Sequence, residues 1–195
     1  MSVYIHGGLR SPIGVLNGQY KHMRPEILGS QVIDEIINRY TISHIDGIFC
    51  GNAVGTGGNL GRLMGLMCNL PNSVPAITVD MQCASALMSI EIAYAHIVSG
   101  IMDSAIAGGI ESSSLQPERV YASGDDREGP YKVAQFTPQD QSPLAMLKGA
   151  ERTIHKYNVT KEDLYPHIIG SHQRASAALD NPYLQSYIMP ITIDG

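Results

Sequence analysis

The sequence predicts an α/β fold built on a parallel sheet, and three observations carry that prediction. Two strand-like runs, Asp46 to Val54 and Val74 to Val79, flank a segment with helical patterning, Asn59 to Cys68. A third run, Ser104 to Ile110, follows a helix-length stretch from Ala84 to Ser99. Strands alternating with helices at this spacing favour right-handed crossovers between parallel neighbours.

Each element has its own local reason. Val3 to His6 reads as a short strand closed by Gly7-Gly8 and the Arg10-Ser11-Pro12 turn. From Pro25 to Tyr40, Leu28, Val32, Ile33, Ile36, Ile37 and Tyr40 fall on one side of a helix and Ser30, Gln31, Asp34, Glu35 and Asn38 on the other. Gly55, Gly57 and Gly58 form a tight turn after the Asp46 to Val54 strand. Val74 to Val79 is rich in β-branched residues and carries its proline near the start, where a missing donor is tolerable. The Ala84 to Ser99 helix, stopped by Gly100, is apolar nearly all the way round, with Ser85, Ser89 and His96 on a stripe about 40° wide. Such a helix expects burial on most sides. Gln116 to Pro143 holds four of the 11 prolines and reads as an extended loop. Helical patterning returns at Leu144 to Tyr157 and after Thr160, where Thr160 and Asp163 have capping-box spacing, and Asn181-Pro182 ends that helix. Tyr187 to Ile193 is a candidate terminal strand.

Composition excludes several classes of function. With 44% hydrophobic and 16% charged residues and a formal charge of −5, the chain is core-forming and mildly acidic. Its 13 basic residues are scattered, the densest group being Lys148, Arg152 and Lys156, so no nucleic-acid partner is expected. No apolar run approaches the roughly 18 to 20 residues of a membrane span and the start lacks a secretory pattern. A cytoplasmic protein with no membrane partner is the expectation. Cys50, Cys68 and Cys83 are an odd set without CxxC spacing, which fits reduced thiols. His167 and His172 lie off a shared helical face and there is no HExxH, so no metal is expected. The glycine turn lacks dinucleotide spacing, since the third position counted from Gly55 is Leu60.

One residue stands out chemically. Cys83 lies between a strand ending near Asp80 and the start of the apolar helix, so its sulfur should face unpaired backbone donors. In such a place a thiolate is stabilised and its pKa can fall to somewhere between about 3.5 and 7.5. The competing reading is that Cys is among the most buried residue types and fills space. Cys50, within a strand, and Cys68, at a helix end, are expected to be packing residues.

The surroundings of Cys83 resemble the thiolase family, and several segments match in order. Leu9-Arg10-Ser11-Pro12-Ile13-Gly14 resembles the family's N-terminal signature, and Gly51-Asn52-Ala53-Val54 its second strand's exit. Leu70 to Val79 resembles the approach to the nucleophile, Cys83-Ala84-Ser85-Ala86-Leu87 the nucleophile motif, and Ala107-Gly108-Gly109-Ile110-Glu111-Ser112 the motif that follows it. Met146 through Glu151, Ser171 to Ala175 and Ile188 to Ile191 resemble later segments. The resemblance covers essentially the whole chain but only the first half of a thiolase. It implies a mixed, mostly parallel sheet with helices on both faces in residues 1–116, and an incomplete, α-rich, CoA-contacting loop region in residues 117–195. It also implies an acyltransferase of lipid metabolism working by Claisen condensation or thiolytic cleavage through an acyl-cysteine. Cys83 would be the catalytic nucleophile, with its N–H as an oxyanion donor, and Met146 would pack on the pantetheine arm. The CoA thioester would be the substrate, with no separate cofactor and no metal.

Departures from the family pattern bear on activity. Ala86 stands where the family has Gly, adding a methyl where strand and helix pack closely, and Ala145 stands where His is frequent. The family's Asn-Glu-Ala, Gly-His-Pro and Cys-x-Gly-Gly segments, which supply the acid/base groups, are absent. The expectation is therefore a fragment or one subunit of a split enzyme, inactive alone, whose partners are acyl-CoA or CoA and either a C-terminal thiolase half or further copies in a homo-oligomer such as a dimer. The alternative is a non-catalytic acyl-CoA-binding or scaffolding protein. A ketoacyl-synthase relative is less consistent with the Gly108-Gly109-Ile110-Glu111-Ser112 and Ser11-Pro12-Ile13-Gly14 motifs.

Overall fold

The structure is a computed structural model that describes residues 2–55, 57–135, 137–138 and 142–193. It divides into two units, Met1–Pro117 with Ser186–Gly195, and Glu118–Gln185.

In the first unit, Pro25 opens helix α1 (Pro25–Arg39), its fixed φ suiting the first helical position and its missing N–H costing nothing there. The helix ends at Tyr40, beyond which Thr41 turns left-handed with φ 52°. Strand β1 (Gly47–Gly51) follows and is buried throughout. Helix α2 (Leu60–Met67) is capped by Asn59, whose side chain accepts from the Arg62 N–H. Strand β2 (Ala76–Val79), helix α3 (Ser85–Val98) and strand β3 (Ala105–Gly109) complete the order. The sheet runs β2-β1-β3 and both pairings are parallel, with Ile48 opposite Ala76 and Ile106. This is the α/β architecture expected from the strand and helix order.

Alternation along the central strand separates two packing layers. Ile48 and Cys50 join Ile33, Ile45, Met64, Cys68, Val74 and Ala76 in one cluster, on the side where α2 packs on the sheet and α1 packs on α2. Phe49 points the other way, its ring 5.1 Å from that of His96 on α3.

Helix α3 lies on the sheet with its polar stripe inward. Ser85 and Ser89 are buried, while Leu87, Ile90, Tyr94 and Val98 face outward, Leu87 with 68% of its surface exposed. The reason is close approach. A Cβ built on Gly51 would lie 2.5 Å from the Ala86 nitrogen and 2.5 Å from the Ser85 carbonyl carbon, so only small residues fit where helix meets strand. Ser89, wholly buried, places its hydroxyl 2.7 Å from the Ala86 carbonyl oxygen and 2.9 Å from that of Gly108, sharing one proton between helix and strand. The helix apolar on most sides is thus covered on one side within this unit.

Two expected strands are not formed. Val3 to His6 has no ladder, and Tyr187 to Ile193 contributes one parallel bridge, Ile188 with Arg10. Arg10 N donates to Tyr187 O at 2.9 Å and Met189 N to Arg10 O at 3.0 Å. Pro12 and Pro190, each two residues beyond the bridge, have no N–H with which to extend it.

In the second unit the expected loop contains a short antiparallel pair, β4 (Arg119–Val120) with β5 (Pro130–Tyr131). Tyr121 and Tyr131 stack at 4.2 Å, and the Arg127 guanidinium sits 4.3 Å above the Tyr121 ring. Two hydrogen bonds from that guanidinium hold the Asp125 carboxyl well below the usual carboxylate range. Helix α4 (Ala145–Lys156) and helix α5 (Lys161–Leu179) follow, the latter started by the expected capping box of Thr160 and Asp163. Pro182 opens a one-turn helix, α6 (Pro182–Gln185), rather than merely ending its predecessor.

Candidate active site

The three strands end side by side at Gly51, Val79 and Gly109. Asn52 N donates to Val79 O at 3.0 Å and Ile110 N to Gly51 O at 3.0 Å, so the exits of all three strands are tied together. In open α/β sheets this carboxyl edge is where ligands bind.

Cys83 sits at this edge, in a tight helical turn (Gln82–Ala84) that leads into α3. Its side chain is a free thiol on an exposed residue. The turn is pinned from both sides. Gln82 N donates to Asp80 Oδ1 at 2.8 Å, Met81 N donates to Ser85 Oγ at 2.8 Å, and Ser85 Oγ donates to Gln82 O at 2.6 Å. Between these bonds Gln82 adopts φ 53°, a left-handed conformation that residues with a Cβ rarely take.

Glu111 fastens the neighbouring loop. Its carboxylate accepts from Ala53 N at 3.0 Å, Val54 N at 2.8 Å and Asn52 Nδ2 at 3.1 Å, and Asn52 Nδ2 also donates to Ile110 O at 2.8 Å. Two of the sequence motifs meet close by, since Ser11 to Gly14 and Gly109 to Ser112 line one groove of about 330 Å³. Ala86, the expected point of crowding, rests its methyl 3.0 Å from where a Cβ on Gly109 would be. Glycine at 109 is what makes room for it.

The other two thiols differ from Cys83 in their exposure. Cys50 and Cys68 are buried, and burial pushes their thiols up to about 11 and about 12 respectively. The nearby carboxylates Glu111 and Asp34 add to the same upward shift. Both behave as packing residues: Cys68 donates to Met64 O at 3.0 Å, as a small side chain closing a helix end does.

Met146 lies in the first turn of α4, in the second unit, with 67% of its surface exposed. Ala145 is the first residue of that helix. Among the described residues no group of His, Cys, Asp and Glu is arranged to hold a metal ion. No helix among them is long and apolar enough to cross a membrane.

Sequence reasoning singled out Cys83 but passed over the groups that shape its turn. Asp80 followed by an amide two residues on is an Asx-turn signal that could have been read. Ser85 is legible as a member of the polar helical stripe and of the Cys83-Ala84-Ser85-Ala86-Leu87 motif, but neither reading says that its hydroxyl ties down the turn. The left-handed Gln82 has no sequence signal, because glutamine is not a residue that favours it.

Comparison with known proteins gives the same direction. The family model for the thiolase N-terminal domain matches residues 3–195. VraB of Staphylococcus aureus strain MSSA476, named as a candidate acetyl-CoA C-acetyltransferase, is 34% identical over 192 residues, covering 95% of this chain and 50% of VraB. Its Staphylococcus epidermidis counterpart is 32% identical over 196 residues, with the same coverage of 95% and 50%. The crystal structure of the Bacillus anthracis acetyl-CoA acetyltransferase superposes with a TM-score of 0.84 at 26% identity, over 98% of this chain and 51% of that one. The chain spans about half the length of the relatives it matches. With an α/β sheet carrying helices on both faces and a family match across nearly its full length, the chain belongs to the thiolase family, as its N-terminal domain.

Proposed function

We propose that this chain is the nucleophile-bearing half of a thiolase-type acyl-CoA acyltransferase. The observation that carries the reading is the contrast among its thiols: Cys83 alone is exposed, on a pinned turn at the carboxyl edge of the sheet. In the proposed step the Cys83 sulfur attacks the thioester carbonyl of an acyl-CoA. A new C–S bond forms, the carbonyl electron pair returns, and the CoA thiolate leaves and takes up a proton, giving an acyl-cysteine and free CoA. The Cys83 N–H is an oxyanion donor of the kind such a step uses. Carbon–carbon bond formation or cleavage then needs a further acid/base group, which the family takes from its second half, so a complete cycle requires that half, in the same polypeptide or as a partner. Met146 is proposed to pack on the pantetheine arm. The CoA thioester serves as substrate and no separate cofactor is involved.

The outward apolar face of α3 supports the need for a second layer, since burying one large apolar side chain is worth about 1.5–3 kcal/mol. Four such residues, Leu87, Ile90, Tyr94 and Val98, present that face to solvent.

The experiment mixes the chain with acetyl-CoA, with and without a separately produced C-terminal thiolase half, and maps adducts by mass spectrometry. An acetyl group on Cys83 when both halves are present supports the reading. CoA binding that survives Cys83→Ala, with no acyl adduct under either condition, establishes a binding protein instead.

A further inference from the structure

We propose that Ser85 is a positioning residue for the nucleophile, acting through the turn that precedes it; the role in acyl transfer rests on the reading of Cys83 above. Ser85 is buried, and its hydroxyl spends both of its capacities on the two residues just before Cys83, accepting from Met81 N and donating to Gln82 O. Those bonds bracket Gln82, whose φ of 53° an L-residue leaves unless it is held. Ser85 is itself immobilised, because β1 passes so near that a Cβ on Gly51 would fall 2.5 Å from the Ser85 carbonyl carbon. The path is continuous: a fixed strand fixes the first residue of α3, which fixes the left-handed residue, which sets where the next side chain points. Asp80 supports the same turn from outside through Gln82 N. Loss of the Ser85 hydroxyl leaves the Met81 N–H without this partner and takes one donor from the Gln82 carbonyl, which keeps the Ser85 N–H, and Gln82 is then free to relax and change where Cys83 points.

The test is the rate of Cys83 alkylation by iodoacetamide in the 195-residue chain, for wild type, Ser85→Ala, Ser85→Thr and Asp80→Ala, with peptide mapping of every cysteine. Ser85→Ala is expected to slow Cys83 alkylation about threefold or more. Cys50 and Cys68 should stay unlabelled, which shows that the fold has not loosened, and Ser85→Thr, which keeps the hydroxyl, should restore the rate. Asp80→Ala, at an exposed position, removes the outer bond and is expected to slow the reaction in the same direction. If Ser85→Ala loosens the fold and exposes Cys50 and Cys68, Asp80→Ala decides the matter. Unchanged or faster Cys83 alkylation in a folded Ser85→Ala or Asp80→Ala chain overturns the proposal. An absent acetyl adduct in the wild-type, two-half mixture refutes the acyl-transfer reading instead, and leaves the alkylation comparison standing.

Discussion

Selective alkylation of the native chain tests the contrast on which the site rests. The perturbation is iodoacetamide at pH 8. Thiols held at about 11 and about 12 are ionised there to about one part in a thousand for Cys50 and one in ten thousand for Cys68. Because the thiolate is the nucleophile, those fractions scale the rates directly, and both sulfurs are additionally shielded by packing. Cys83 is open to solvent. The expected product is a chain with one carbamidomethyl group, on Cys83, when intact mass and peptide mapping are read after the first labelling phase. In denaturant all three thiols should react at similar rates. Labelling of Cys50 or Cys68 within tenfold of the Cys83 rate in the native chain would refute the argument, since it would mean that burial does not suppress their ionisation.

Further outcomes follow from the same packing. Both buried thiols have folded-state values above their ordinary 9.0, so the folded chain holds these protons more tightly than the unfolded one. Their contribution to stability is complete below pH 9 and declines as pH rises through about 11 and 12, so urea midpoints should fall over that window and Cys68→Ala should flatten the slope. Ser89→Ala removes the one hydroxyl bridging α3 and β3 and leaves the Gly108 carbonyl without that donor, at a cost of about 1–3 kcal/mol by urea denaturation. Gly51→Ala forces a methyl against the backbone of Ser85 and Ala86 and is expected to cost about 1–3 kcal/mol or more and to change the Cys83 alkylation rate. Replacing Ile90 and Tyr94 with Lys should raise solubility of the isolated chain without lowering its thermal midpoint, whereas a lowered midpoint would show that the outward face is already in use.

The sheet was legible because its signals are local: β-branched runs, glycine turns and a helix between strands suffice to order β1, β2 and β3. The position of Cys83 at a strand-to-helix junction followed from the same ordering. What could not be read was direction. The apolar excess of α3 announced burial on most sides, but only the close approach of Gly51 to Ser85 and Ala86 decides that the small polar stripe faces the sheet. The terminal strands failed for a different reason: Val3 to His6 forms no ladder, and Tyr187 to Ile193 pairs with Arg10 at Ile188 alone, because Pro12 and Pro190 have no N–H to carry the pairing further. The pinned turn depends on one left-handed residue and two side chains acting together, a constellation that spacing alone does not reveal.

The single bridge between Arg10 and Ile188 has a consequence for how the chain is made. A ribosome releases Arg10 early and Ile188 only after the whole second unit has emerged, so the first unit waits for its closing segment while Glu118–Gln185 is made. Met189, buried beside that bridge, and the paired bonds between Gln31 and Thr192 arrive equally late. Contacts of such long sequence separation slow folding and lengthen exposure of unfinished surfaces. A nascent chain stalled before Ile188 should therefore be a markedly better chaperone client than the same chain released.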